Sequence, residues 1–437
     1  MKLRIAAVGV VVALVAVAVG LPAAAATNDD GQWYLDVYGI PDFHAEGIDG
    51  SGVTIAVLDD GINLDAPALQ GADVTVHEPA YCYSPEGVSR PAQSDDVDAA
   101  WHGTNVTSMI VGNGNSDTDA PGVQGVAPGA SILFYAVGGD RVCYTEDGGS
   151  SLQGVLGPAI SQAVDDGADI ISVSFITDED VEKDILKALR AGVIVVAGLS
   201  NQDTGDSIQD TDGAPVIYNG VLGVGAFGPT GEVITDYTGN PNTSQFVDVV
   251  APGDVILTQG HKGDTWAGTE LSSGTSFATP ITAANLALAV QKYPQATSNQ
   301  LIQSLIRNTG VEPHELMWDD INGYGSVDTI SFLASDPTQY EDINPLLVEL
   351  TGDVFIGPSI EQVLGSPSAA PTTSTSPSPS GNATEPAPSP TPLPDSLGAS
   401  NTTMVIIAIA VLVALALIAT VVIVIVISKN RKQSPTP

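Results

Sequence analysis

Six short runs of apolar, mostly β-branched residues recur along the middle of the chain, and segments of helical pattern separate them. The runs, each typical of a buried strand, cover residues 53–58, 132–137, 169–175, 193–198, 221–227 and 247–250. The helical segments cover residues 102–112, 152–166, 179–191, 275–294 and 298–308. Because strands that alternate with helices form parallel sheets with helices on both faces, the pattern predicts an α/β fold in three layers.

The N-terminus resembles an export signal. Lys2 and Arg4 precede an apolar run over residues 5–19, and small residues at 24–26 form a cleavage site. An uncleaved membrane anchor is the alternative interpretation. We predict a signal peptide over residues 1–26, which places the following domain outside the cytoplasm.

A second apolar run, near the C-terminus, predicts a membrane anchor. Residues 404–427 contain no charged side chain and are long enough to cross a bilayer. The basic tail over residues 428–437 favours a cytoplasmic C-terminus. Residues 366–403, rich in Pro, Ser and Thr, are typical of an extended stalk. We therefore expect a single-pass protein of the cell membrane with an extracellular domain.

The charge of the chain excludes one class of partner. All 51 Asp and Glu residues lie within residues 27–427, whereas five of the 13 Lys and Arg residues lie outside that range. So acidic a surface repels nucleic acid, and no nucleic-acid partner is expected. The charge either favours basic substrates or keeps an extracellular protein soluble, and solubility is the favoured interpretation. The cluster Asp95, Asp96 and Asp98 lacks the spacing of a calcium loop, so a solvated loop is favoured there.

The two cysteines, Cys82 and Cys143, are expected to pair. An exported domain with two cysteines usually oxidises them to a disulfide. No other Cys or His lies near either of them at the spacing of a zinc site, so no metal site is predicted.

Residues 273–280, Ser-Gly-Thr-Ser-Phe-Ala-Thr-Pro, indicate a nucleophile. They place Ser276 at the start of a helix, among small residues that let a substrate backbone approach. Unpaired N–H groups and a partial positive charge at a helix N-terminus stabilise developing negative charge. Pro280 is expected in the first turn, where its missing N–H costs little. An ordinary helix cap is the alternative for this motif.

Two further segments supply partners for Ser276. Asp59 follows the first predicted strand directly, and His102 opens the first predicted helix. Asp59, His102 and Ser276 therefore occur in the order acid, base and nucleophile. This order and these contexts resemble the subtilisin family of serine proteases.

The resemblance extends from about residue 52 to residue 328. It includes a Gly-Val-Ala-Pro turn at residues 125–128 and a closing Gly-Tyr-Gly-Ser-Val-Asp segment at residues 323–328. It also places Asn201 at the position of the family's oxyanion-hole asparagine. These matches occur in the right order, which makes the resemblance specific.

Two positions near the proposed acid and base differ from the family. Asp60 stands where Ser or Thr is usual, and Asn105 replaces a common second His. Asn105 also begins an Asn-Val-Thr glycosylation signal. We discount that signal because a glycan one turn from His102 would obstruct the site.

The resemblance implies a subtilisin-like fold and a protein or peptide substrate. Ser276 is the expected nucleophile, His102 the base that takes its proton, and Asp59 the carboxylate that holds the imidazole. Asn201 is expected to donate a hydrogen bond to the oxyanion together with the Ser276 backbone. No metal and no organic cofactor is expected. The four other histidines, interpreted as structural or exposed, are His44, His77, His261 and His314.

The cleft and the N-terminal segment depart from many secreted subtilisins. Residues 172–177, Ser-Val-Ser-Phe-Ile-Thr, contain none of the glycines that line the substrate cleft there. Phe175 and Ile176 are therefore expected to narrow the cleft. The segment before Asp59 is too short for the usual folding prodomain, so it is expected to pack on the catalytic domain as an arm.

The order of segments is similar to that of the mycosins, membrane-anchored subtilisin-like proteases that accompany type VII secretion in actinobacteria. The expected segments are a signal peptide (1–26), an N-terminal arm (27–51), a peptidase domain (52–335), a C-terminal extension of that domain (336–365), a stalk (366–403), a transmembrane helix (404–427) and a cytoplasmic tail (428–437). Secretion-system components are the partners that this likeness implies. A general anchored surface subtilase is one alternative. A subtilisin-fold scaffold that docks to a secretion complex, with secondary or absent proteolysis, is the alternative from another function class.

Overall fold

The computed structural model describes residues 30–365, except for 139–142, 145–153, 206–210, 262–264, 311–313 and 351–355. The chain divides into two compact units, Met1–Ser368 and Ala369–Pro437, and every described residue lies in the first. The predicted signal peptide, stalk, transmembrane helix and tail lie outside the described residues, so they stay predictions. In the described part of the chain, no helix is both long enough and apolar enough to cross a bilayer.

Seven strands form a parallel sheet at the centre of the domain, in the order β2-β3-β1-β4-β5-β6-β7. They are β1 Thr54–Asp59, β2 Val74–His77, β3 Ser131–Ala136, β4 Ile170–Val173, β5 Ile194–Gly198, β6 Leu222–Phe227 and β7 Val249–Pro252. Two further strands, β8 Ile256–His261 and β9 Thr265–Ser272, form an antiparallel hairpin. All six predicted strands are confirmed to within two residues, whereas β2 and the hairpin were not predicted.

Nine α-helices lie within the described residues. They are α1 Trp33–Val37, α2 Ile40–Ala45, α3 Val97–Val111, α4 Leu156–Asp165, α5 Glu182–Ala191, α6 Thr275–Lys292, α7 Ser298–Arg307, α8 Thr329–Ala334 and α9 Ile360–Leu364. The five predicted helices correspond to α3–α7. Helix α3 begins five residues earlier than predicted because the Asp96 side chain accepts the Asp98 N–H at 3.1 Å and caps it there.

Adjacent residues of the strands point to opposite faces of the sheet. Ile55 and Val57 of β1 pack in one core with α3 and α6, while Ala56 and Leu58 pack in a second core with α4 and α5. Each fully buried aliphatic side chain contributes about 1.5–3 kcal/mol to folding. This alternation confirms the predicted arrangement in three layers, and it explains why the strands read as unbroken apolar runs.

The β8–β9 hairpin is held against α3 by Asn105. The Asn105 amide accepts the Gln259 N–H at 2.7 Å and donates to the Gln259 carbonyl at 3.0 Å, as a neighbouring strand would. A third hydrogen bond runs from the same amide to the Trp101 carbonyl at 2.8 Å. Because Asn105 is fully buried, the folded domain cannot carry a glycan there.

The arm and the C-terminal extension both pack on the domain. Trp33 and Tyr34 of α1 are buried, and the Trp33 indole donates to the Asp254 carbonyl at 3.2 Å. In the extension, the carbonyls of Val348 and Pro358 each accept a hydrogen bond from the Asn219 amide at 3.0 Å. The two segments therefore belong to the same folded unit as the sheet.

The predicted disulfide between Cys82 and Cys143 is confirmed, with the two Cα atoms 4.9 Å apart. The residues that follow the two cysteines also pair: Tyr83 N–H donates to the Tyr144 carbonyl at 3.0 Å, and Tyr144 N–H returns a bond of 3.2 Å. The bridge therefore ties the segment after β2 to the segment after β3.

Candidate active site

The carboxyl ends of the central strands bring the predicted site residues to one edge of the sheet. Asp59 is the last residue of β1, and Asn201 lies just beyond β5; Ser174, which was not among the predicted site residues, follows β4. These three strands are parallel neighbours in the order β1, β4 and β5. In open parallel sheets, ligands bind at this edge.

His102 contacts Asp59 directly. The distance from His102 Nδ1 to Asp59 Oδ1 is 2.7 Å, the Asp59 side chain is fully buried and the His102 side chain is 16% exposed. Because an ionised carboxylate can only accept, Nδ1 carries the proton and Nε2 is the basic nitrogen. His102 lies in the second turn of α3, so the prediction that it opens the helix is wrong.

Few described groups other than His102 form hydrogen bonds with the Asp59 carboxylate. Its Oδ1 atom also accepts the Asp60 N–H at 2.9 Å, while Oδ2 has no hydrogen-bond partner among the described residues. A buried carboxylate interacts more strongly with its partners than an exposed one, because little solvent screens it. The negatively charged Asp59 carboxylate therefore interacts mainly with the His102 imidazole.

Ser276 is the second residue of α6 and lines the same cavity as His102. The ring of the next residue, Phe277, lies 6.3 Å from the His102 ring and 6.3 Å from the Trp101 ring, measured between centroids. This aromatic contact holds the first turn of α6 against the part of α3 that carries the imidazole.

Asn201 is oriented by Thr275, a residue that the sequence alone did not single out. Asn201 Oδ1 accepts the Thr275 backbone N–H at 2.9 Å and lies 3.1 Å from the Thr275 hydroxyl, which donates to the Leu199 carbonyl at 2.5 Å. A Cβ atom at Gly274 would lie 3.2 Å from Ser276 Oγ and 3.5 Å from Asn201 Nδ2. The hydroxyl and the amide therefore both border the space that Gly274 leaves open, where a reacting carbonyl can approach.

Pro280 lies in the second turn of α6, so the prediction that it occupies the first turn is wrong. Proline has no N–H, and the Ser276 carbonyl therefore loses its usual helical donor. The carbonyl of the preceding residue, Thr275, accepts a hydrogen bond from the Thr279 hydroxyl at 2.8 Å. The helix continues to Lys292 in spite of this interruption.

Asp60 places a second buried carboxyl beside the Asp59–His102 pair. Its Oδ1 atom accepts the N–H groups of Gly61 at 2.6 Å and Gly103 at 3.0 Å. Burial, reinforced by the charge of Asp59, raises the pKa of Asp60 from 3.8 to about 7, against the opposing effects of His102 and the two N–H donors. The sequence flagged this position as unusual for the family but could not predict its burial.

A cavity of about 1700 Å³ opens above the strand ends, and His102, Asn201 and Ser276 line it. Phe175 and Ile176 also line this cavity but do not close it. The four other histidines do not line it. An imidazole held by a carboxylate, a hydroxyl and a side-chain amide in one open cleft are groups that acyl transfer uses.

Comparison with known proteins places this chain in one family. The subtilase family model matches residues 50–325. Over 317 residues the chain is 29% identical to fervidolysin of Fervidobacterium pennivorans, an alignment that covers 68% of the chain and 42% of fervidolysin. It is also 29% identical to the major intracellular serine protease of Bacillus subtilis, over 63% of the chain and 81% of that protein.

A solved structure shows the same fold. The prenylagaramide maturation protease PagA superposes with a TM-score of 0.50 at 25% identity, over 68% of this chain and 98% of PagA. The sequence-based assignment of a subtilisin-like fold is thereby confirmed. The chain spans less than half of the length of fervidolysin.

Replacing Asp60 with Asn should change how stability depends on pH. Asn keeps an acceptor for Gly61 and Gly103 but cannot ionise. In the wild type, the unfolded carboxyl loses its proton near pH 4 and the folded one near pH 7, so folding stability falls as pH rises through this window. The pKa of Asp60 is shifted by roughly three units, and each unit corresponds to about 1.4 kcal/mol. The resulting change in the free energy of unfolding is on the order of 1–4 kcal/mol.

Urea unfolding of the full-length chain, followed by tryptophan fluorescence, measures the effect. All four tryptophans lie within residues 30–365, and a Ser276→Ala background prevents self-digestion. The Asp60→Asn variant should gain stability over its parent between pH 4 and pH 8, whereas the exposed control Asp117→Asn should not. A stability difference that is the same at both pH values would contradict the role of Asp60 burial.

Proposed function

This chain belongs to the subtilase family of serine proteases, and from that premise we propose that it is an endopeptidase that hydrolyses peptide bonds through Asp59, His102 and Ser276. The observation that carries the proposal is the 2.7 Å contact between His102 and the buried Asp59, in a cavity that Ser276 also lines. The substrate is a protein or peptide, which the open cleft accommodates.

The reaction proceeds through an acyl-enzyme. Ser276 Oγ attacks the carbonyl carbon as its proton passes to His102 Nε2, and Asp59 stabilises the imidazolium that forms. The tetrahedral intermediate then expels the amine, which takes the proton from Nε2, and an ester on Ser276 remains. Water repeats the sequence on the ester, releases the acid and restores the hydroxyl.

Charge on the carbonyl oxygen is stabilised by two donors. The Asn201 amide, held by Thr275, donates one hydrogen bond, and the Ser276 backbone N–H at the start of α6 donates the other. Loss of one such donor typically costs about 3 kcal/mol of transition-state stabilisation. Because Asn201 Oδ1 accepts the Thr275 N–H, its Nδ2 is the atom that faces the substrate.

The rival function is a scaffold that docks to a secretion complex without cleaving anything. The buried Asp59 speaks against it, since an ionised carboxylate in the interior costs several kcal/mol unless well-placed partners offset it. A protein that only docks would gain nothing from a buried carboxylate that lowers its stability. The observation favours a working enzyme, whether or not the domain also docks.

The second part of the proposal is the location of the enzyme. We place the catalytic domain outside the cell, anchored by residues 404–427, with residues 428–437 in the cytoplasm. The uncharged apolar run and the basic residues that follow it support this orientation. The resulting order of segments supports a mycosin-like enzyme that works with a type VII secretion system.

Labelling with a fluorophosphonate tests the catalytic part. The full-length wild type should form a covalent adduct, because the reagent reacts with an activated serine hydroxyl. The Ser276→Ala variant should lose the adduct, while Ser273→Ala, which removes a nearby exposed hydroxyl, should keep it. In-gel fluorescence and mass spectrometry of the labelled peptide measure this. Folded wild type that stays unlabelled would support the scaffold function instead.

Protection from added protease tests the orientation. With an epitope tag after Pro437, a broad-specificity protease added to intact cells should release the domain of residues 30–365 and leave the tag protected. The stalk, residues 366–403, is the expected place of cleavage because an extended segment is open to attack. Permeabilised cells should lose the tag as well. Loss of the tag from intact cells would show that the C-terminus is not cytoplasmic.

A further inference from the structure

The cleft continues beyond the candidate catalytic residues between two chain segments that meet in a short antiparallel bridge. Thr177 N–H donates to the Ala214 carbonyl at 3.0 Å, and Ala214 N–H donates back at 2.8 Å. The bridge joins the continuation of β4 to the segment that returns toward β6. It therefore brings the segment that begins at Asp178 close to the segment that contains Asp212, and Asp203 lines the same cavity.

Among the described residues that line this part of the cleft, the charged side chains are all carboxylates. No Lys or Arg occurs among the described residues that line the cavity. The carboxylates that line it are Asp178, Glu179, Asp180, Glu182, Asp203 and Asp212. A cleft lined by charges of one sign focuses the field and raises the local concentration of ligands of opposite charge.

The protein uses neutral groups to hold several of these carboxylates. Glu179 accepts the N–H groups of Val155, Leu156 and Gly157 at 2.8–3.1 Å. Asp212 accepts the Ser200 N–H at 2.8 Å and the Ser244 hydroxyl at 2.6 Å. These hydrogen bonds fix the two carboxylates in position, and none of their donors is a Lys or Arg side chain.

A second, independent feature of this cleft points to a polar ligand. The Ser174 hydroxyl, on the first residue after β4, is buried and has no hydrogen-bond partner among the described residues, and Ser174 lines the cavity. A buried hydroxyl without a partner loses about 1–3 kcal/mol relative to one that is bonded. A peptide that enters the cleft offers N–H and C=O groups to satisfy it.

The positions of the carboxylates indicate which kind of cation the cleft suits. Within the described residues, no three His, Cys, Asp or Glu side chains converge closely enough to hold a metal ion. Asp178 and Asp203 are exposed at the rim, whereas Glu179 is buried. Charges distributed along a cleft in this way suit a chain with several cationic side chains.

We propose that this acidic cleft selects substrates with Lys or Arg residues beside the scissile bond, so that the enzyme cleaves cationic segments in preference to neutral ones. The inference rests on the proposed protease function and adds the substrate class. Lys and Arg side chains reach the carboxylates with charge-assisted hydrogen bonds while the peptide backbone lies along Ser276 and Asn201. Acidic substrates are repelled by the same charges.

Three internally quenched peptides test the selection on the full-length enzyme. They are identical except at two positions beside a common cleavable bond, which carry Arg, Gln or Glu. At low salt, kcat/KM should be at least about tenfold higher for the Arg peptide than for the Gln peptide, and lowest for the Glu peptide. The ratio should shrink at high salt, because exposed charges are screened.

Two double variants with the same change in net charge separate the cleft from the general surface. Asp180→Asn with Asp203→Asn, at exposed positions that line the cavity, should lower the Arg-to-Gln ratio at least threefold. Asp117→Asn with Asp119→Asn, at exposed positions that do not line the cavity, should leave the ratio unchanged. Equal loss in both double variants would mean that only the overall charge matters, and would overturn the assignment to the cleft.

Failure of the selection and failure of the protease function give different results. Equal hydrolysis of the Arg and Gln peptides would overturn the selection and leave the protease intact. Hydrolysis of no peptide would contradict the protease. In that case, fluorescence anisotropy of the same peptides on Ser276→Ala still decides: tighter binding of the Arg peptide supports the selection, and equal binding overturns it.

Discussion

The candidate site depends on one contact, the 2.7 Å hydrogen bond between the buried carboxylate of Asp59 and the ring of His102. Asp59 is buried because it ends β1, a strand with parallel neighbours on both sides. A carboxylate in that position requires a partner, since the loss of hydration costs several kcal/mol. Helix α3 supplies it. The contact also determines the protonated nitrogen of His102, and hence which nitrogen can act as a base.

The second half of the site is organised around the first turn of α6. Thr275 donates its N–H to Asn201 Oδ1, and its hydroxyl donates to the Leu199 carbonyl at 2.5 Å while lying 3.1 Å from Asn201 Oδ1. The helix start that presents Ser276 is thus tied to the segment after β5 that presents Asn201. Phe277 ties the same turn to α3. Because three elements meet at one turn, the nucleophile, the base and the oxyanion donor keep a common geometry.

The sheet and the order of the site residues could be predicted from the sequence because each rests on a local pattern. The strands are buried on both faces, so they read as apolar runs, and Asp59, His102 and Ser276 lie in short motifs. The β8–β9 hairpin was missed because its residues are not a continuous apolar run: the residues of β9 are half-buried or exposed, and Asn105 rather than an apolar face holds the hairpin to α3. The start of α3 was missed because the predicted helix took His102 as its first residue, whereas the cap is Asp96. The burial of Asp60 and the proximity of the acidic residues near Thr177 depend on contacts between segments that are distant in sequence. No local sequence pattern predicts such contacts.

The most direct test of the account is whether His102 and Ser276 act as one unit. The measurement is kcat for a peptide substrate with His102→Ala, Ser276→Ala and the double variant, in the full-length protein. If the two side chains share one step, each single substitution should lower kcat by roughly six orders of magnitude, and the double variant should be no slower than the slower single variant. Losses that multiply in the double variant, or a His102→Ala enzyme that keeps most of its rate, would contradict the account.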